Sequence, residues 1–338
     1  MRAPSFWWRD AGFTASLLAP IAGVYGGIAE RRLTRDGETI GIPVLCIGNP
    51  TLGGAGKTPT AIAAAKSLIA AGERPVFLTR GYGGRLKGPI AVDPIRHHAD
   101  AVGDEARLLA RTAPTIVARN RVAGARQAQL AGATVVVMDD GFQNPSLTKT
   151  LCILVVDARR SIGNGRVFPA GPLRAPLGVQ FNRANAVIVV GETEDGRRAA
   201  DQLNVLVSGS GLPILLGRLE PDRRAVEALT HDQLLAYAGI GNPEKFFATL
   251  ERNGLKVAAR RSFPDHHRYT TADIRALLQM ADRRGLTPVT TEKDLSRLEG
   301  DRSAALLIQR TKALPVKLVL EQQDLFDRLL LATAKSGS

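Results

Sequence analysis

A glycine-rich run followed by lysine and threonine carries the clearest chemistry in this chain. The run GNPTLGGAGKT occupies residues 48–58, between an apolar stretch typical of a strand (42–47) and one typical of a helix (60–69). A strand, a glycine-rich turn, Lys-Thr and a helix follow one another in phosphate-binding loops. In such a loop the backbone N–H groups surround a polyphosphate, Lys57 reaches its β- and γ-phosphates, and Thr58 binds Mg²⁺. The sequence therefore predicts a polyphosphate site at this turn.

The turn departs from the common phosphate-loop pattern at one position. The pattern G-x-x-x-x-G-K-[ST] places its first glycine where this chain has Thr51. Because glycine tolerates backbone conformations that other residues avoid, we expect Gly53 and Gly54 to supply the flexibility instead. The alternative is an ordinary glycine-rich turn between a strand and a helix, and Gly-Lys-Thr at that junction argues against it.

Two acidic residues are placed to complete a magnesium site. Asp139 and Asp140 directly follow the apolar run 134–138, which is the Walker B arrangement. We expect one carboxylate to hold Mg²⁺ directly or through water, and the other to pair with Lys57 or with a substrate hydroxyl. The alternative is that these residues only cap the next helix.

Two further segments could supply a base for an acceptor. Asp104 and Glu105 open a predicted helix, where they act either as a favourable N-terminal pair or as a general base. The segment FPDHHRY at residues 263–269 is dense in titratable side chains, and its histidines could orient a carboxylate or share a proton with it. No cysteine lies near these histidines, so they give only weak support for a zinc site.

The elements that must position these residues alternate between apolar strands and helices, which predicts a doubly wound, mainly parallel α/β sheet. The predicted strands of the first part are 42–47, 75–79, 115–118, 134–138, 151–156, 186–190 and a short one at 213–216, within a charged and irregular stretch, 192–232. In the second part the predicted elements are a strand at 234–238, a helix over 271–283, a strand from 288, strands at 304–309 and 315–320, and a closing helix at 322–334.

Composition points to an anionic partner. The 338 residues are 44% hydrophobic, carry a formal net charge of +13 and contain only 5% aromatics. A basic surface attracts nucleic acid, anionic lipid or a phosphorylated substrate. Because no run interleaves basic and aromatic residues, as base-stacking proteins do, we expect no nucleic-acid partner. The two cysteines, Cys46 and Cys152, lie in apolar runs and are expected to be buried and reduced, which suits the cytoplasm.

The N-terminus predicts contact with a membrane. Residues 11–29 carry no charge, follow the pair Trp7-Trp8, and precede the basic residues Arg31 and Arg32. A helix of this length would be about 28 Å long, close to one hydrocarbon thickness. Tryptophan beside an apolar run suits the headgroup region. We therefore expect a membrane-associated helix, either spanning or interfacial; the alternative is a helix packed on the protein's own core.

Taken together, the motifs resemble those of one family, the tetraacyldisaccharide 4′-kinases, which are membrane-associated lipid A kinases of Gram-negative bacteria. The resemblance extends over nearly the whole chain, in order, through IGNPTLGGAGKTP (47–59), TRGYGG (79–84), VGDEA (102–106), MDDGFQN (138–144), FPAGPLRAP (168–176), AGIGNP (238–243), FPDHHRY (263–269) and TEKD (291–294).

The resemblance implies an ATP- and Mg²⁺-dependent kinase that phosphorylates the 4′-hydroxyl of tetraacyldisaccharide 1-phosphate, an anionic glycolipid, to give the 1,4′-bisphosphate called lipid IVA. It implies the cytoplasmic face of the bacterial inner membrane and no obligate protein partner. It also implies three regions: an N-terminal membrane-associated helix with a basic flank (1–35), a P-loop α/β/α kinase domain (36–220) and a smaller C-terminal α/β domain (221–338).

Roles carried over from the family fall on three groups of residues. The phosphates would be held by Thr51, Leu52, Gly53, Gly54, Ala55, Gly56, Lys57 and Thr58, and Arg80 would contact anionic groups. Asp104, supported by His266, would be the acceptor-side base. Asp139 would join Thr58 at Mg²⁺, and Asp140 would act with Lys57 at the catalytic centre.

The chain departs from the family pattern at two positions. The family commonly has L-R-E-P where this chain has Ala175, and D-G-F-Q-H where it has Asn144. If the family glutamate helps to hold the metal, another carboxylate or water must replace it here.

Three other functions compete with this interpretation. A partition-type ATPase would carry its signature lysine at position 52, which is Leu52 here. A non-catalytic, ATP-binding membrane adaptor would not need Asp104 or His266. A nucleic-acid-dependent NTPase predicts stimulation by DNA or RNA.

Overall fold

The structure is a computed structural model that describes residues 3–335, within which the strands form a nine-stranded and a four-stranded sheet. The strands are β1 (Val44–Gly48), β2 (Pro75–Thr79), β3 (Ile90–Ala91), β4 (Thr115–Val117), β5 (Val135–Asp139), β6 (Leu151–Asp157), β7 (Ala186–Val190), β8 (Ile214–Pro221), β9 (Gln233–Ala238), β10 (Lys256–Ser262), β11 (Thr287–Thr291), β12 (Lys312–Leu314) and β13 (Val316–Leu320).

The helices pack against both sheets. They are α1 (Phe13–Leu17), α2 (Ala19–Leu33), α3 (Lys57–Ala70), α4 (Ala99–Val102), α5 (Asp104–Ala110), α6 (Arg121–Leu130), α7 (Leu177–Asn182), α8 (Thr193–Leu206), α9 (Arg223–Glu227), α10 (Pro243–Arg252), α11 (Thr271–Arg284), α12 (Glu292–Leu298), α13 (Ala305–Arg310) and α14 (Gln323–Lys335).

The large sheet has the strand order β13-β8-β7-β6-β1-β5-β2-β4-β3. Its strands pair in parallel except at the two edges, where β13 is antiparallel to β8 and β3 is antiparallel to β4. The small sheet, β10-β9-β11-β12, is parallel throughout. The predicted doubly wound, mainly parallel α/β class is confirmed.

Both faces of the large sheet are buried, which explains the continuous apolar strands in the sequence. Along β1 the side chains alternate: Val44 and Cys46 join the core under α6, α7 and α8, whereas Leu45 and Ile47 join the core under α3 and α14. The central strands therefore have no solvent-facing side. The carboxyl ends of the parallel strands lie along the same end of the sheet, which is where open α/β folds bind ligands.

The end of the chain differs from the predicted C-terminal domain of residues 221–338. The small sheet and its helices lie within that range, but β13 pairs with β8 and α14 packs beside α3 on the large sheet. The reason is apolar burial, since Leu320, Phe326 and Leu330 belong to the core of the large sheet. The chain thus returns to its first sheet after the small one.

One predicted strand is a helix in the structure. Residues 304–309 form most of α13, which follows a 3₁₀ turn at Arg302–Ala304. Ala304 and Leu307 are buried three residues apart while Leu306 is exposed. That spacing places one side of a helix against the core, and the run of apolar residues alone does not distinguish it from a strand.

The stretch predicted to be charged and irregular, 192–232, contains the helices α8 and α9. Helix α8 buries Ala199, Ala200 and Leu203 on one face and exposes charged residues on the other. Strand β10 was not predicted: it is the edge of the small sheet, and its exposed basic side chains conceal the apolar pattern of a strand.

The predicted N-terminal helix is divided in two. Helices α1 and α2 meet at Leu18, and Pro20 lies in the first turn of α2, where its missing N–H group is tolerated. No helix within residues 3–335 combines the length and the apolar character needed to cross a membrane. An exposed apolar stripe nevertheless runs along both helices, with more than half of each side chain exposed at Phe13, Leu17, Ile21, Val24 and Ile28.

Candidate active site

The glycine-rich turn connects β1 to α3 and places its special backbone conformations at two glycines. Gly53 has φ +118° and Gly56, which precedes the first residue of α3, has φ +97°. Thr51 is not among the residues with positive φ, so a side chain is tolerated where the common pattern has glycine. The departure at Thr51 therefore leaves the turn of the loop intact.

Asn49 fixes the loop from inside. Its buried side chain donates hydrogen bonds to the carbonyl oxygens of Thr51 (2.6 Å) and Gly53 (3.1 Å). The Asn49 carbonyl oxygen Oδ1 accepts a hydrogen bond from Lys57 Nζ (3.1 Å). One amide thus holds both the loop backbone and the lysine that faces it. Burial lowers the pKa of Lys57 from its usual value.

Thr58 and Asp139 form the part of the site that suits Mg²⁺. The Thr58 hydroxyl donates a hydrogen bond to Asp139 Oδ2 (2.9 Å), at the end of β5 beside β1. The other oxygen, Asp139 Oδ1, is buried and has no hydrogen-bond partner within residues 3–335. Burial raises the pKa of Asp139, which a bound cation would reverse. A carboxylate and a hydroxyl are oxygen donors of the kind that Mg²⁺ prefers, so the residues fit the metal.

The Asp140 carboxylate lies near two cationic side chains, those of Lys57 and Arg174. Its Oδ1 lies 3.7 Å from Lys57 Nζ and 3.2 Å from Arg174 Nη1. Burial opposes ionisation of Asp140, but the charges of Lys57 and Arg174 outweigh it and lower the pKa. Asp140 has φ +56°, in the left-handed region, whereas Asp139 is the last residue of strand β5. The adjacent carboxylates therefore serve different partners.

The acceptor-side residues come from both parts of the chain. Asp104 begins α5 on the large sheet, and Oδ2 of this buried carboxylate lies 3.4 Å from Nδ1 of His266. Arg297, on α12, donates to the same oxygen through Nε (2.8 Å) and Nη2. Gly103, directly before Asp104, lets the start of α5 pack closely on the loop after β2, because a Cβ there would lie 2.5 Å from the carbonyl oxygen of Tyr82.

Hydrogen bonds and charge set the protonation of this pair. Burial alone would raise the pKa of Asp104, but hydrogen bonds from His266 and Glu105 and the charge of Arg297 hold it far below its usual range. The hydrogen bond to Asp104 raises the pKa of His266. The second histidine, His267, turns away and contacts Asp273 Oδ2 (3.0 Å) at the start of α11, where its role is structural.

Lys293 joins α12 to α5 beside Asp104. Its Nζ donates to Glu105 Oε1 (2.7 Å) across the junction between the two helices. Its charge also favours the ionised form of Asp104, against the burial that raises the pKa of that carboxyl.

The chain is similar to known proteins over nearly its whole length. A family model described as "Tetraacyldisaccharide-1-P 4'-kinase" matches residues 14–335. The chain belongs to this family. It is 50% identical over 331 residues to the tetraacyldisaccharide 4′-kinase of Rhodopseudomonas palustris strain BisB5, covering 98% of this chain and 96% of that one. It is 53% identical over 325 residues to that of Methylobacterium sp. strain 4-46, covering 96% and 95%.

A solved member of the family has the same fold. The structure of LpxK from Aquifex aeolicus in complex with ATP superimposes with a TM-score of 0.74 at 25% identity, covering 94% of this chain and 99% of that one. The predicted family and the prediction of an ATP-dependent kinase are confirmed. The chain therefore has the fold of the tetraacyldisaccharide 4′-kinase family.

The remaining predicted phosphate-loop residues lie along the loop in different environments. Leu52 is half-buried and its N–H donates to the carbonyl of Pro172 (2.8 Å). Gly54 is exposed with open space where a Cβ would lie, and Ala55 is buried in the core of the large sheet. Arg80 is exposed after β2 and has no hydrogen-bond or ion-pair partner in the described part of the chain. Its predicted ligand contact stays a prediction.

The two departures from the family pattern have local explanations. Ala175 is fully buried, and its carbonyl accepts a hydrogen bond from Gln180 Nε2 (2.8 Å). No carboxylate replaces the family glutamate at this position, so Asp139 is the acidic group that faces Thr58. Asn144 accepts hydrogen bonds from the N–H and hydroxyl of Ser146 and so stabilises the turn after β5.

Four site residues were not assigned a role from the sequence, although three of them lie within motifs that carry the family resemblance. They are Asn49, Arg174, Lys293 and Arg297. Asn49 and Arg174 bind the loop backbone, since Arg174 Nε also donates to the Thr51 carbonyl (3.1 Å). Lys293 and Arg297 are four residues apart on α12, which indicates a shared helix face. That spacing is the sequence signal that could have identified the pair.

Proposed function

We propose that this chain transfers the γ-phosphate of ATP to the 4′-hydroxyl of tetraacyldisaccharide 1-phosphate and forms the 1,4′-bisphosphate precursor of lipid A. The observation that carries the proposal is the Thr58–Asp139 pair at the phosphate loop, where Asp139 Oδ1 is buried without a hydrogen-bond partner within residues 3–335; the buried Asp104 carboxylate, 3.4 Å from His266, supplies the second group that the reaction needs. A kinase needs a phosphate site and a base for the acceptor next to one another. The family supplies the identity of the acceptor.

On the donor side, the loop 51–58 would surround the phosphates with its backbone N–H groups. Lys57 would contact the β- and γ-phosphates, and Asp140 and Arg174 would keep it in place. Thr58 and Asp139 would hold Mg²⁺, which neutralises charge on the phosphates when bound. Arg80, exposed after β2, is free to approach an anionic group of either substrate.

On the acceptor side, the 4′-oxygen attacks the γ-phosphorus, the bond from that phosphorus to the β-phosphate oxygen breaks, and the hydroxyl proton passes to Asp104. Because its pKa is very low, Asp104 stays ionised and orients the hydroxyl until proton transfer late in the reaction. A loose transition state needs little base strength early on. His266 holds the carboxylate through its 3.4 Å contact.

The magnesium assignment gives a test at Asp139. Asp139→Asn should raise the Mg²⁺ concentration for half-maximal activity at least about tenfold, because a neutral amide binds a hard cation less well than a carboxylate. Mn²⁺ binding followed by electron paramagnetic resonance should weaken in parallel, without reference to turnover. The matched control is Asp157→Asn at the end of β6, which is separated from β5 by β1; there the carboxylate pairs with Lys245 instead. Equal metal dependence in both variants would contradict the assignment.

The exposed apolar stripe supports binding to the cytoplasmic face of the bacterial inner membrane. The stripe of α1 and α2 ends near the basic residues Arg31 and Arg32, which suit anionic headgroups. Tyr25 on α2 contacts Phe168 with ring centroids 5.3 Å apart. Phe168 begins the segment that reaches Arg174 at the active site. An interfacial helix would therefore bring the site to a lipid acceptor that stays in the membrane.

Charged residues in the stripe should release the protein from membranes. We expect Ile21→Asp together with Val24→Asp to weaken binding to phosphatidylglycerol-containing vesicles at least about tenfold, since each lost apolar side chain removes about 1.5–3 kcal/mol of burial. Flotation of the protein with vesicles measures this. Leu130→Asp, at an equally exposed leucine at the end of α6, should not change it. Unchanged flotation of the double variant would exclude this face as the membrane contact.

The function itself is tested with γ-labelled ATP, Mg²⁺ and tetraacyldisaccharide 1-phosphate in detergent. Label should enter the lipid and resist exchange with free phosphate. A folded protein that binds ATP but leaves the dispersed lipid unlabelled would reject the kinase assignment in favour of an adaptor. Turnover that requires DNA or RNA would favour the nucleic-acid-dependent alternative.

A further inference from the structure

The two oxygens of Asp104 are in different environments. Oδ2 receives two donors from Arg297 and lies 3.4 Å from Nδ1 of His266. Among residues 3–335, the one donor at hydrogen-bond distance from Oδ1 is the backbone N–H of Glu105, at 3.1 Å. The Asp104 and Arg297 side chains are 4% and 8% exposed, so water does not replace these contacts. Oδ2 is therefore fully engaged, and Oδ1 is the oxygen with capacity for another hydrogen bond.

Arg297 is itself held in one orientation. Its Nη1 donates to the carbonyl of Gly239 (2.6 Å) and to Asp294 Oδ1 (2.8 Å). Asp294 is fully buried and also accepts from the Gly239 N–H (3.0 Å) and the Tyr269 hydroxyl (2.9 Å). The guanidinium thus has one edge fixed on the small sheet and presents the other edge to Asp104.

We propose that Arg297 is a positioning residue for phosphoryl transfer: it occupies Oδ2 of Asp104 and so leaves Oδ1 to accept the hydrogen bond of the acceptor hydroxyl. This role rests on the proposed function. Arg297 lies on α12, which follows β11 of the small sheet, and Asp104 lies on α5 beside the large sheet. The acceptor-side base is therefore complete only when the two parts of the chain are in contact.

The geometry requires a guanidinium. Nε and Nη2 reach Asp104 while Nη1 reaches Gly239 and Asp294 in the opposite direction, through one planar group. A lysine ammonium in this place would keep the charge but could not direct donors to both sides with the same fixed angles. Loss of the fork would let the Asp104 carboxylate rotate, and a misplacement of this kind reduces catalysis strongly.

The pH dependence of kcat provides a second test of this role, because it reports the protonation of Asp104. Besides Arg297, the groups that face Asp104 are Glu105 on α5, Lys293 on α12 and His266 in the loop before α11, and Asp265 Oδ1 lies 3.9 Å from His266. With Arg297 present, the pKa of Asp104 is held far below its usual range, so this group stays ionised at working pH. Removing the cation raises the pKa, and activity then falls at the acidic end as Asp104 takes up a proton.

The test compares Arg297→Ala and Arg297→Lys with Arg111→Ala. Arg111, also at the α5–α12 junction, pairs with Glu299 (2.9 Å), which retains its bond to Arg107, and it has no contact with Asp104. We expect Arg297→Ala to lower kcat about 100-fold. Arg297→Lys should also be impaired, with a kcat no more than about tenfold above that of Arg297→Ala. The acidic limb of the kcat profile should move to higher pH in Arg297→Ala and less in Arg297→Lys. Arg111→Ala should change neither quantity.

Two controls keep the outcome interpretable. The thermal unfolding midpoint shows whether each variant remains folded. ATP affinity, which depends on the phosphate loop, shows whether the donor site is intact. If Arg297→Ala unfolds, Arg297→Lys, which keeps the charge, is the variant to use. Guanidinium added to Arg297→Ala should restore part of kcat, and it should not affect Arg111→Ala.

Three results would overturn the role. They are wild-type kcat in Arg297→Ala, a loss of kcat with no movement of the acidic limb, and an equal loss in Arg111→Ala. A wild-type chain that binds ATP but transfers no phosphate would reject the proposed function and this role with it. Normal wild-type transfer with an unaffected Arg297→Ala variant would reject the role alone.

Discussion

Lys57→Ala should lower kcat by about 10³-fold or more, because in the proposed mechanism this lysine supplies positive charge to the transferring phosphate. Lys57 is held by Asn49 Oδ1 at 3.1 Å and lies 3.7 Å from Asp140 Oδ1, so its ammonium is already oriented before ATP binds. Water can replace little of the charge stabilisation that the ammonium would provide, since only 12% of the Lys57 side chain is exposed. Turnover of labelled ATP into lipid at saturating substrates measures the loss.

Lys66→Ala is the matched control for this experiment. Lys66 lies on the same helix, α3, but is exposed and away from the loop. It should keep the wild-type kcat and the wild-type unfolding midpoint. A Lys57→Ala protein that is folded and retains more than about a tenth of wild-type kcat would show that Lys57 does not stabilise the transferring phosphate.

Asp104→Asn should lower kcat about 10²- to 10⁴-fold, the range expected when a general base is removed. The amide keeps the shape of the side chain but cannot accept the acceptor proton. ATP affinity should change little, because the loop proposed to hold the nucleotide phosphates lies between β1 and α3, whereas Asp104 lies on α5. Single-turnover transfer to the lipid, measured with pre-bound ATP, separates this chemical defect from a defect in binding.

Asp100→Asn tests whether any nearby aspartate has the same effect. Asp100 lies on α4, four residues before Asp104, where it is half exposed and pairs with Arg85 at 2.8 Å. We expect wild-type kcat from this variant. If Asp104→Asn kept wild-type transfer, the base would have to be another group, and a non-catalytic role for the Asp104–His266 pair would become the better explanation.

Local sequence was sufficient for the elements that carry strong periodic signals. The strand runs that became β1, β5, β6 and β7 are apolar throughout, because helices cover both faces of their sheet. The turn before α3 was predicted from glycine and lysine spacing alone. Prediction failed at α8, which mixes apolar residues with exposed charges, and at α13, where a short apolar run gave no sign of the helical spacing between the buried residues Ala304 and Leu307.

Long-range contacts decided features that no local pattern encodes. Strand β13 looks like another strand of the second part, but it pairs with β8, about 100 residues earlier. The uncharged run 11–29 predicts one helix, but the structure contains two, α1 and α2. Their exposed apolar side chains form a stripe, whereas a spanning segment is one long apolar helix. In both cases the outcome depends on which surface buries the apolar side chains, and the residues of that surface are distant in sequence.

The sequence by itself determined the chemistry available to this protein: a phosphate loop with Lys57 and Thr58, carboxylates after β5, and an acid–histidine pair. Only the tertiary structure decided how these groups are oriented. Arg297 and Lys293 reach Asp104 and Glu105 from about 190 residues away, and the Arg297 side chain is buried there. A hydrogen bond depends on distance and angle, which are fixed by the packing of α12 against α5. The four-residue spacing of Lys293 and Arg297 marks a helix face but does not identify the residues that this face contacts.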